Sequence, residues 1–337
     1  MRRQIGILGA GTWGTALGRL LTTNGHDVTV WSPLADRIDD LNRERVHPNL
    51  PGTRLPDAMR FTSRIDETVV GKDLVVIATP SVYVRPTLHA ARDFLSIDQI
   101  IVTVAKGIES DTLLTMSEIV ESELADLSAG RRLRIAALSG PTHAEEVIRD
   151  MPSAIVSASE DPETAKVVQD VFANANFRVY TNTDIHGVEL CGALKNIIAL
   201  ASGMAAGLGY GDNARAALIT RGMAEIRRLG IAMGCREDTF RGLAGIGDLI
   251  VTCSSNNSRN FKCGYMIGQG VAPDEAIRRV GMVVEGVNAL HAAMQLKERH
   301  RVVMNISEGV SKIFSGEADS KTVAAELMTR ALKGEND

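Results

Sequence analysis

The sequence predicts a doubly wound α/β sheet over residues 1–184, an all-α part over residues 185–332, and a short tail, 333–337. Three observations lead there. Short β-branched runs alternate with helical patterns through the first half, and several are apolar at every position, as in Leu74-Val75-Val76-Ile77-Ala78. Such runs suit parallel strands covered on both faces. A glycine-rich turn stands between the first run and the first helical pattern. Beyond about Asp184 the β signal fades and long helical stretches take over.

In chain order, Gln4–Gly9, Asp27–Ser32, Asp73–Pro80, Gln99–Ala105 and Arg134–Gly140 read as strands. Helical patterns fill the gaps at Thr12–Asn24, Ser81–Leu95 and Leu113–Asp126, which is βαβ alternation. Ala154–Ser159 and Phe177–Asn182 extend the sheet around a helix that starts near Asp161. The second half reads as helices at Gly187–Ala206, Asn213–Met233, Pro273–Gly281, Gly286–His300 and Ser307–Phe314, and the tail from Lys333 is polar.

The bulk numbers are those of a globular protein. A chain of 337 residues suffices for two domains at roughly 100–200 residues each. Its 37 basic and 41 acidic residues give a net charge of −4, which argues against a nucleic-acid or membrane surface. Cys191, Cys235, Cys253 and Cys263 form no CxxC pair, and Cys253 and Cys263 are not flanked by histidines at metal-ligand spacing, so reduced thiols are expected and no metal site. Met1-Arg2-Arg3 begins like a signal peptide, but Ile5 to Ala10 is too short and glycine-rich for its apolar core. The apolar stretch Ile197 to Gly209 falls short of the ~20 residues of a membrane helix. A cytoplasmic protein is expected.

Gly9-Ala10-Gly11-Thr12-Trp13-Gly14 matches G-x-G-x-x-G between a strand and a helix, the setting of a Rossmann-type dinucleotide site. Gly9 permits the tight turn, Gly11 lets backbone approach the pyrophosphate, and Gly14 lets the helix pack on the strand. The helix N-terminus then offers free N–H groups to the phosphates. NAD-selective sites place a carboxylate at the end of the second strand, but here the chain reads Trp31-Ser32-Pro33-Leu34-Ala35-Asp36-Arg37. Ser32 is a candidate for a 2′-phosphate. Arg37 is either its helper or a solvated helix residue. Both NADH and NADPH are therefore expected to serve.

Five further segments carry candidate chemistry. Lys195, in Gly192-Ala193-Leu194-Lys195-Asn196-Ile197, is one lysine in an apolar helix. Burial would lower its pKa and suit it to proton transfer, unless it snorkels from the helix edge. Gly245-Ile246-Gly247-Asp248 supplies a carboxylate in a glycine-rich turn, and Ser258-Arg259-Asn260 a guanidinium suited to phosphate. Lys106, in Ala105-Lys106-Gly107, and Gly140 and Thr142, in Ser139-Gly140-Pro141-Thr142-His143-Ala144, close strands at the carboxyl edge of the sheet, where ligands bind.

With these segments in view, the sequence closely resembles the NAD(P)-dependent glycerol-3-phosphate dehydrogenases of the bacterial type. The resemblance runs from Gly6 to about Met328. It is carried by GAGTWGTAL from Gly9, AKGIE from Ala105, LSGPTHAEEV from Leu138, GALKNIIALASG from Gly192, GLGYGDNARAALITRG from Gly207, GIGDLIVTC from Gly245, SRN from Ser258 and GMVVEGV from Gly281. It implies a 6-phosphogluconate dehydrogenase-like pair of domains that interconverts sn-glycerol 3-phosphate and dihydroxyacetone phosphate with NAD(P)H, feeding phospholipid synthesis, as a homodimer.

The resemblance makes Lys195 the proton donor and acceptor. It makes Thr12, Trp13, Lys106, Ala144, Arg259, Val283 and Glu285 cofactor positions. Lys106, Gly140, Thr142, Lys195, Asp248, Ser258, Arg259 and Asn260 become substrate positions. On that basis Asp248 orients Lys195 or a substrate hydroxyl, and Asn196 is a second donor to the ketone oxygen. The chain departs from the family near Pro33 and Leu34, where many members carry a basic residue. It also departs at Ala206, often acidic, and at Asn305, often proline.

Other readings fit less well. Related dehydrogenases of the 6-phosphogluconate or 3-hydroxyacid type space lysine and asparagine by one turn, whereas Lys195 and Asn196 are adjacent. A non-catalytic dinucleotide sensor would not need Lys195, Asp248 and Arg259 together. His143, in the first turn of a helix where the dipole disfavours its cation, reads as structural. His26 sits in the Asn24-Gly25-His26-Asp27 turn, and His186, His291 and His300 have no partner pattern.

Overall fold

A computed structural model describes residues 1–128, 130–332 and 334–335. Lys333, Asn336 and Asp337 of the expected tail lie outside the described residues. The first half forms one eight-stranded sheet of β1 (Gln4–Leu8), β2 (Asp27–Trp31), β3 (Arg60–Thr62), β4 (Leu74–Ile77), β5 (Ile100–Thr103), β6 (Arg134–Ser139), β7 (Ser153–Ala158) and β8 (Phe177–Asn182). The strand order is β3-β2-β1-β4-β5-β6-β7-β8. Neighbours run parallel except β6 and β7. The chain leaves β1 in one direction for β2 and crosses back for β4, so the switch point lies between β1 and β4 and opens a crevice at their carboxyl ends.

The alternation of side chains across the strands supplies a core on each face. Ile5, Ile7, Leu74 and Val76 pack into one cluster, and Leu8, Val75 and Ile77 into the other. This is why β4 reads as an unbroken apolar run: all four of its residues are buried.

The second half is all helix among the described residues. Its axis is Ile185–Gly207, a 23-residue helix apolar on nearly every side. The helices Asp212–Ala232, Asp248–Ser254, Arg259–Gly268 and Glu285–His300 pack around it. The helix is long and apolar enough to cross a membrane, which corrects the shorter stretch read from the sequence, but 83% of its apolar window is buried inside the protein. A helix apolar all round needs such a surrounding shell.

Several expected boundaries move for local reasons. Ser81–Leu95 is not one helix. The α-helix spans Val84–Ala91 between two 3₁₀ turns, and Pro86 thereby falls in its first turn, where its missing N–H costs nothing. Leu113–Asp126 begins only at Met116, because Thr115 and Glu118 form a capping box and Leu113 is left-handed at φ 62°. Asp248 is the first residue of a helix rather than part of a turn. His143 is the N-cap of the short Ala144–Val147 helix, not within its first turn. The strand β3 and the helices Arg259–Gly268 and Ser320–Met328 were not anticipated.

Candidate active site

The glycine loop closes β1 as a phosphate cradle requires. Gly9 has φ +128°, and a Cβ there would meet the Ala78 backbone at 2.7 Å. A Cβ at Gly14 would lie 2.0 Å from the Gly9 carbonyl oxygen, so glycine is what allows the Thr12–Thr23 helix to seat on the loop. At Gly11 a Cβ would meet nothing within 4 Å. Gly11 is also the N-cap of that helix and offers no side-chain cap, which leaves the first-turn N–H groups for an anion. Open space at Gly11 beside an uncapped helix end fits a dinucleotide pyrophosphate.

This loop lines a cleft of about 780 Å³ that runs on to the helical part. Two anchors fix the helix that forms the far wall. Asp184 caps its start, accepting from Gly187 N at 3.0 Å, and also holds Arg236 N at 2.9 Å and Thr239 Oγ1 at 2.7 Å. Buried Glu189 accepts from Thr103 Oγ1 at 3.0 Å at the end of β5 and from Ser117 Oγ at 2.6 Å. The first of these bonds ties the helix to the strand end that carries Lys106.

Lys195 is thereby brought to the cleft, buried rather than snorkelling, with 5% of its surface exposed. Its Nζ donates to Asp248 Oδ1 and, at 2.7 Å, to Thr252 Oγ1. Asp248 Oδ2 accepts from Lys106 Nζ at 2.7 Å, and Lys106 also reaches the Gly140 carbonyl at 3.2 Å. Burial drives the Lys195 pKa from 10.5 down to about 7, against the opposing pull of Asp248. Burial disfavours the Asp248 charge, but Lys106 and Lys195 together hold its carboxyl below the usual range. Burial and the two lysines push the half-buried His143 down, and no described group bonds its Nε2.

The third wall comes from the helix Arg259–Gly268. Ser258 caps it, accepting from Phe261 N at 3.2 Å, which places Arg259 at its first position in the cleft lining. Asn260 is engaged at both ends: it donates to Asn196 Oδ1 at 2.9 Å and accepts from Gly286 N at 2.9 Å. Asn196 in turn donates to the Gly192 carbonyl at 3.1 Å.

The structure brings nearly every sequence-derived candidate to this cleft. Gly9, Gly11, Thr12, Trp13, Ser32, Lys106, Thr142, Ala144, Lys195, Asn196, Ser258, Arg259, Asn260, Val283 and Glu285 line it. Gly14 and Gly140 stand behind the lining, and Asp248 is buried beneath the two lysines. Glu285 departs from the simple expectation: its carboxylate accepts from Ser81 N at 3.0 Å and Ser81 Oγ at 2.5 Å, bridging the two halves across the cleft. Thr252 was missed. Its spacing of one helical turn from Asp248 was the available signal, once Asp248 is known to start a helix.

Comparison with known proteins agrees with this geometry. The family described as NAD-dependent glycerol-3-phosphate dehydrogenase N-terminus matches residues 4–165, and its C-terminal counterpart matches residues 184–325. A protein of Lactobacillus delbrueckii subsp. bulgaricus named glycerol-3-phosphate dehydrogenase (NAD(P)+) 2 is 55% identical over 98% of either chain. A Bacillus subtilis protein named glycerol-3-phosphate dehydrogenase (NAD(P)+) is 46% identical over 97% of this chain and 94% of its own. The crystal structure of glycerol-3-phosphate dehydrogenase from Coxiella burnetii superposes with TM-score 0.92 at 34% identity, covering 98% of this chain and 99% of that one. On these matches, the chain belongs to the NAD-dependent glycerol-3-phosphate dehydrogenase family.

Proposed function

We propose that this chain interconverts sn-glycerol 3-phosphate and dihydroxyacetone phosphate at the Lys106–Asp248–Lys195 cluster, supplying glycerol 3-phosphate for phospholipid synthesis. NAD(P)H bound in the glycine-loop cleft supplies the hydride in one direction, and its oxidised form accepts it in the other. Protonated Lys195 donates its proton to the ketone oxygen as that oxygen becomes a hydroxyl. Neutral Lys195 takes the proton back from the alcohol in reverse. Asp248 fixes the Lys195 ammonium in place and offsets its charge. Asn196 keeps one amide hydrogen for the ketone oxygen, the other being given to Gly192.

The phosphate belongs at Arg259, flanked by Ser258 and Asn260, with Lys106, Gly140 and Thr142 at the ketone end. A guanidinium fork matches phosphate geometry, and fixing one end of a small substrate positions the other. We place the division of labour at Asp184, with cofactor held by residues 1–184 and the substrate by residues 185–332.

One observation carries the reading: a buried lysine poised near neutral pH faces the same cleft as an uncapped glycine-loop helix. The test is the loss of reduced-nicotinamide absorbance with dihydroxyacetone phosphate and NADH or NADPH. Turnover with the phosphorylated ketone, and little with dihydroxyacetone itself, is expected. Equal turnover of both, or none, contradicts the assignment.

A cytoplasmic homodimer is part of this reading. The four cysteines are buried free thiols, which suits a reducing compartment. Exposed Tyr210, Met328 and Leu332 border an apolar groove of about 620 Å³ between the helices of the second half, a surface a second copy would cover. Analytical ultracentrifugation should report twice the chain mass, and a monomer at micromolar concentration would remove the dimer from the account.

A further inference from the structure

Lys106 stands on a loop, yet it must meet Asp248 beside Lys195. The loop leaves β5 after Thr103 and ends at the helix Met116–Glu123, with a bridge between Ile108 and Thr115 inside it. The Lys106 side chain is 20% exposed, so burial alone does not hold it. One carboxylate on the opposite side pins both ends of this loop. Glu189 Oε1 accepts from Thr103 Oγ1 at 3.0 Å at the entry and from Ser117 N at 3.0 Å just past the exit, while Oε2 accepts from Ser117 Oγ at 2.6 Å.

Glu189 is buried, and these partners are two hydroxyls and an amide rather than a cation. Burial pushes its carboxyl up, and Ser117, Thr115 and Thr103 hold it back. A buried acceptor is costly unless its donors reach it, which makes the contact specific. The same helix carries Lys195 six residues further on, a rise of about 9 Å, and Lys106 lies three residues beyond Thr103, a reach of at most about 10 Å. The two arms match in length, joined at one end by Thr103 and Glu189 and at the other by Asp248. Between them a Cβ at Gly192 would lie 3.4 Å from Lys106 Cγ, so glycine there lets the arms approach.

We propose that Glu189 is a positioning residue for the reaction: by pinning both ends of the Lys106 loop to the helix of Lys195, it sets how closely the two ammonium groups meet on Asp248. The proposal rests on reading the Lys106–Asp248–Lys195 cluster as the reaction centre. Burial is the main cause of the low Lys195 pKa; Asp248 opposes it, and the like charge of Lys106 adds to it. Cys191, Cys253 and His143 also face Lys195, and burial keeps all three neutral near pH 7. A slack loop frees Lys106 toward solvent, and Lys195 then keeps its proton to higher pH.

The test is the kinetics of dihydroxyacetone phosphate reduction across pH with Thr103→Val, which removes one donor to Glu189 and keeps a β-branched residue in the strand. Its kcat/KM should fall by about threefold to tenfold, the worth of one hydrogen bond, and the pH midpoint of kcat/KM should rise by about half a unit. Thr103→Ser keeps the donor and should recover most of both changes. Labelling of the full chain with acetic anhydride, read by mass spectrometry, should find Lys106 more reactive in Thr103→Val than in wild type. A contact that only supports the fold would lower the melting temperature and leave the midpoint and the labelling unmoved, and that result overturns the proposal. A Thr103→Ser enzyme as impaired as Thr103→Val overturns it as well. Failure of wild type to reduce dihydroxyacetone phosphate overturns the reading of the cluster instead.

Discussion

Lys106 and Lys195 share one carboxylate: Asp248 Oδ2 accepts from Lys106 Nζ at 2.7 Å while Oδ1 accepts from Lys195. With both lysines protonated, the trio carries a net positive charge facing the cleft, with Asp248 and Lys195 buried and Lys106 partly exposed. Asp248→Asn leaves two amines with no carboxylate between them. Denaturant unfolding should show a loss of up to ~3–5 kcal/mol, the usual cost of breaking a buried pair. Lys195, without the charge that raises its pKa, should lose its proton at lower pH, so ketone reduction at neutral pH should fall. An unchanged unfolding midpoint would show that the two contacts contribute nothing.

The two directions of reaction should answer pH oppositely. Lys195 titrates at about 7 in the folded protein because burial lowers it from 10.5. Reduction needs its protonated form, so kcat/KM, which reports the free enzyme, should decline about tenfold per pH unit above that value. Oxidation needs the neutral form, so its kcat/KM should climb to the same pH and then level. Both profiles at substrate well below KM check this; a flat reduction profile across it would contradict it.

Arg259 should fail as an anchor rather than as an acid. The substrate phosphate stays charged throughout, so Arg259→Ala should raise KM for dihydroxyacetone phosphate by roughly tenfold to a hundredfold. It should lower kcat as well if phosphate binding positions the ketone. Residual turnover of unphosphorylated dihydroxyacetone should fall far less than that of dihydroxyacetone phosphate. Steady-state kinetics with both ketones separates loss of anchoring from general damage.

Glu225 couples stability to pH away from the cleft. Burial pushes its carboxyl from 4.5 up to about 7, although it accepts from Ile306 N at 2.7 Å and Ser307 N at 3.3 Å. The fold therefore favours the protonated acid. That contribution is fully present below 4.5 and is lost as pH rises through about 7. The wild-type melting temperature should drop across this window, and Glu225→Gln should flatten the drop. Parallel curves for the two proteins would show that Glu225 does not titrate there.

Much of this was legible in the sequence because it depends on local pattern. Parallel strands such as Leu74–Ile77 must be apolar on both faces, and Gly14 must be glycine because a Cβ there would meet the Gly9 carbonyl only five residues back. The unreadable parts are those where the partner is remote. Glu285 meets Ser81 from 204 positions away, and Asp248 meets Lys106 from 142, distances that carry no periodic signal. The strand β3 has three residues and buries only Phe61, too little for an alternation to show. The helix Arg259–Gly268 was hidden because its first residues read as a ligand motif rather than as a capped helix start.

The most direct test of the central claim is kcat for dihydroxyacetone phosphate reduction by Lys195→Ala, measured beside NADH affinity. A positioned acid is worth about 10²–10⁴ in rate, so kcat should fall by that factor. NADH should bind as in wild type, because the glycine loop and its helix are untouched. If Lys195→Ala keeps more than about a tenth of wild-type kcat, Lys195 is not the acid, and the half-buried imidazole of His143 in the same cleft becomes the residue to replace.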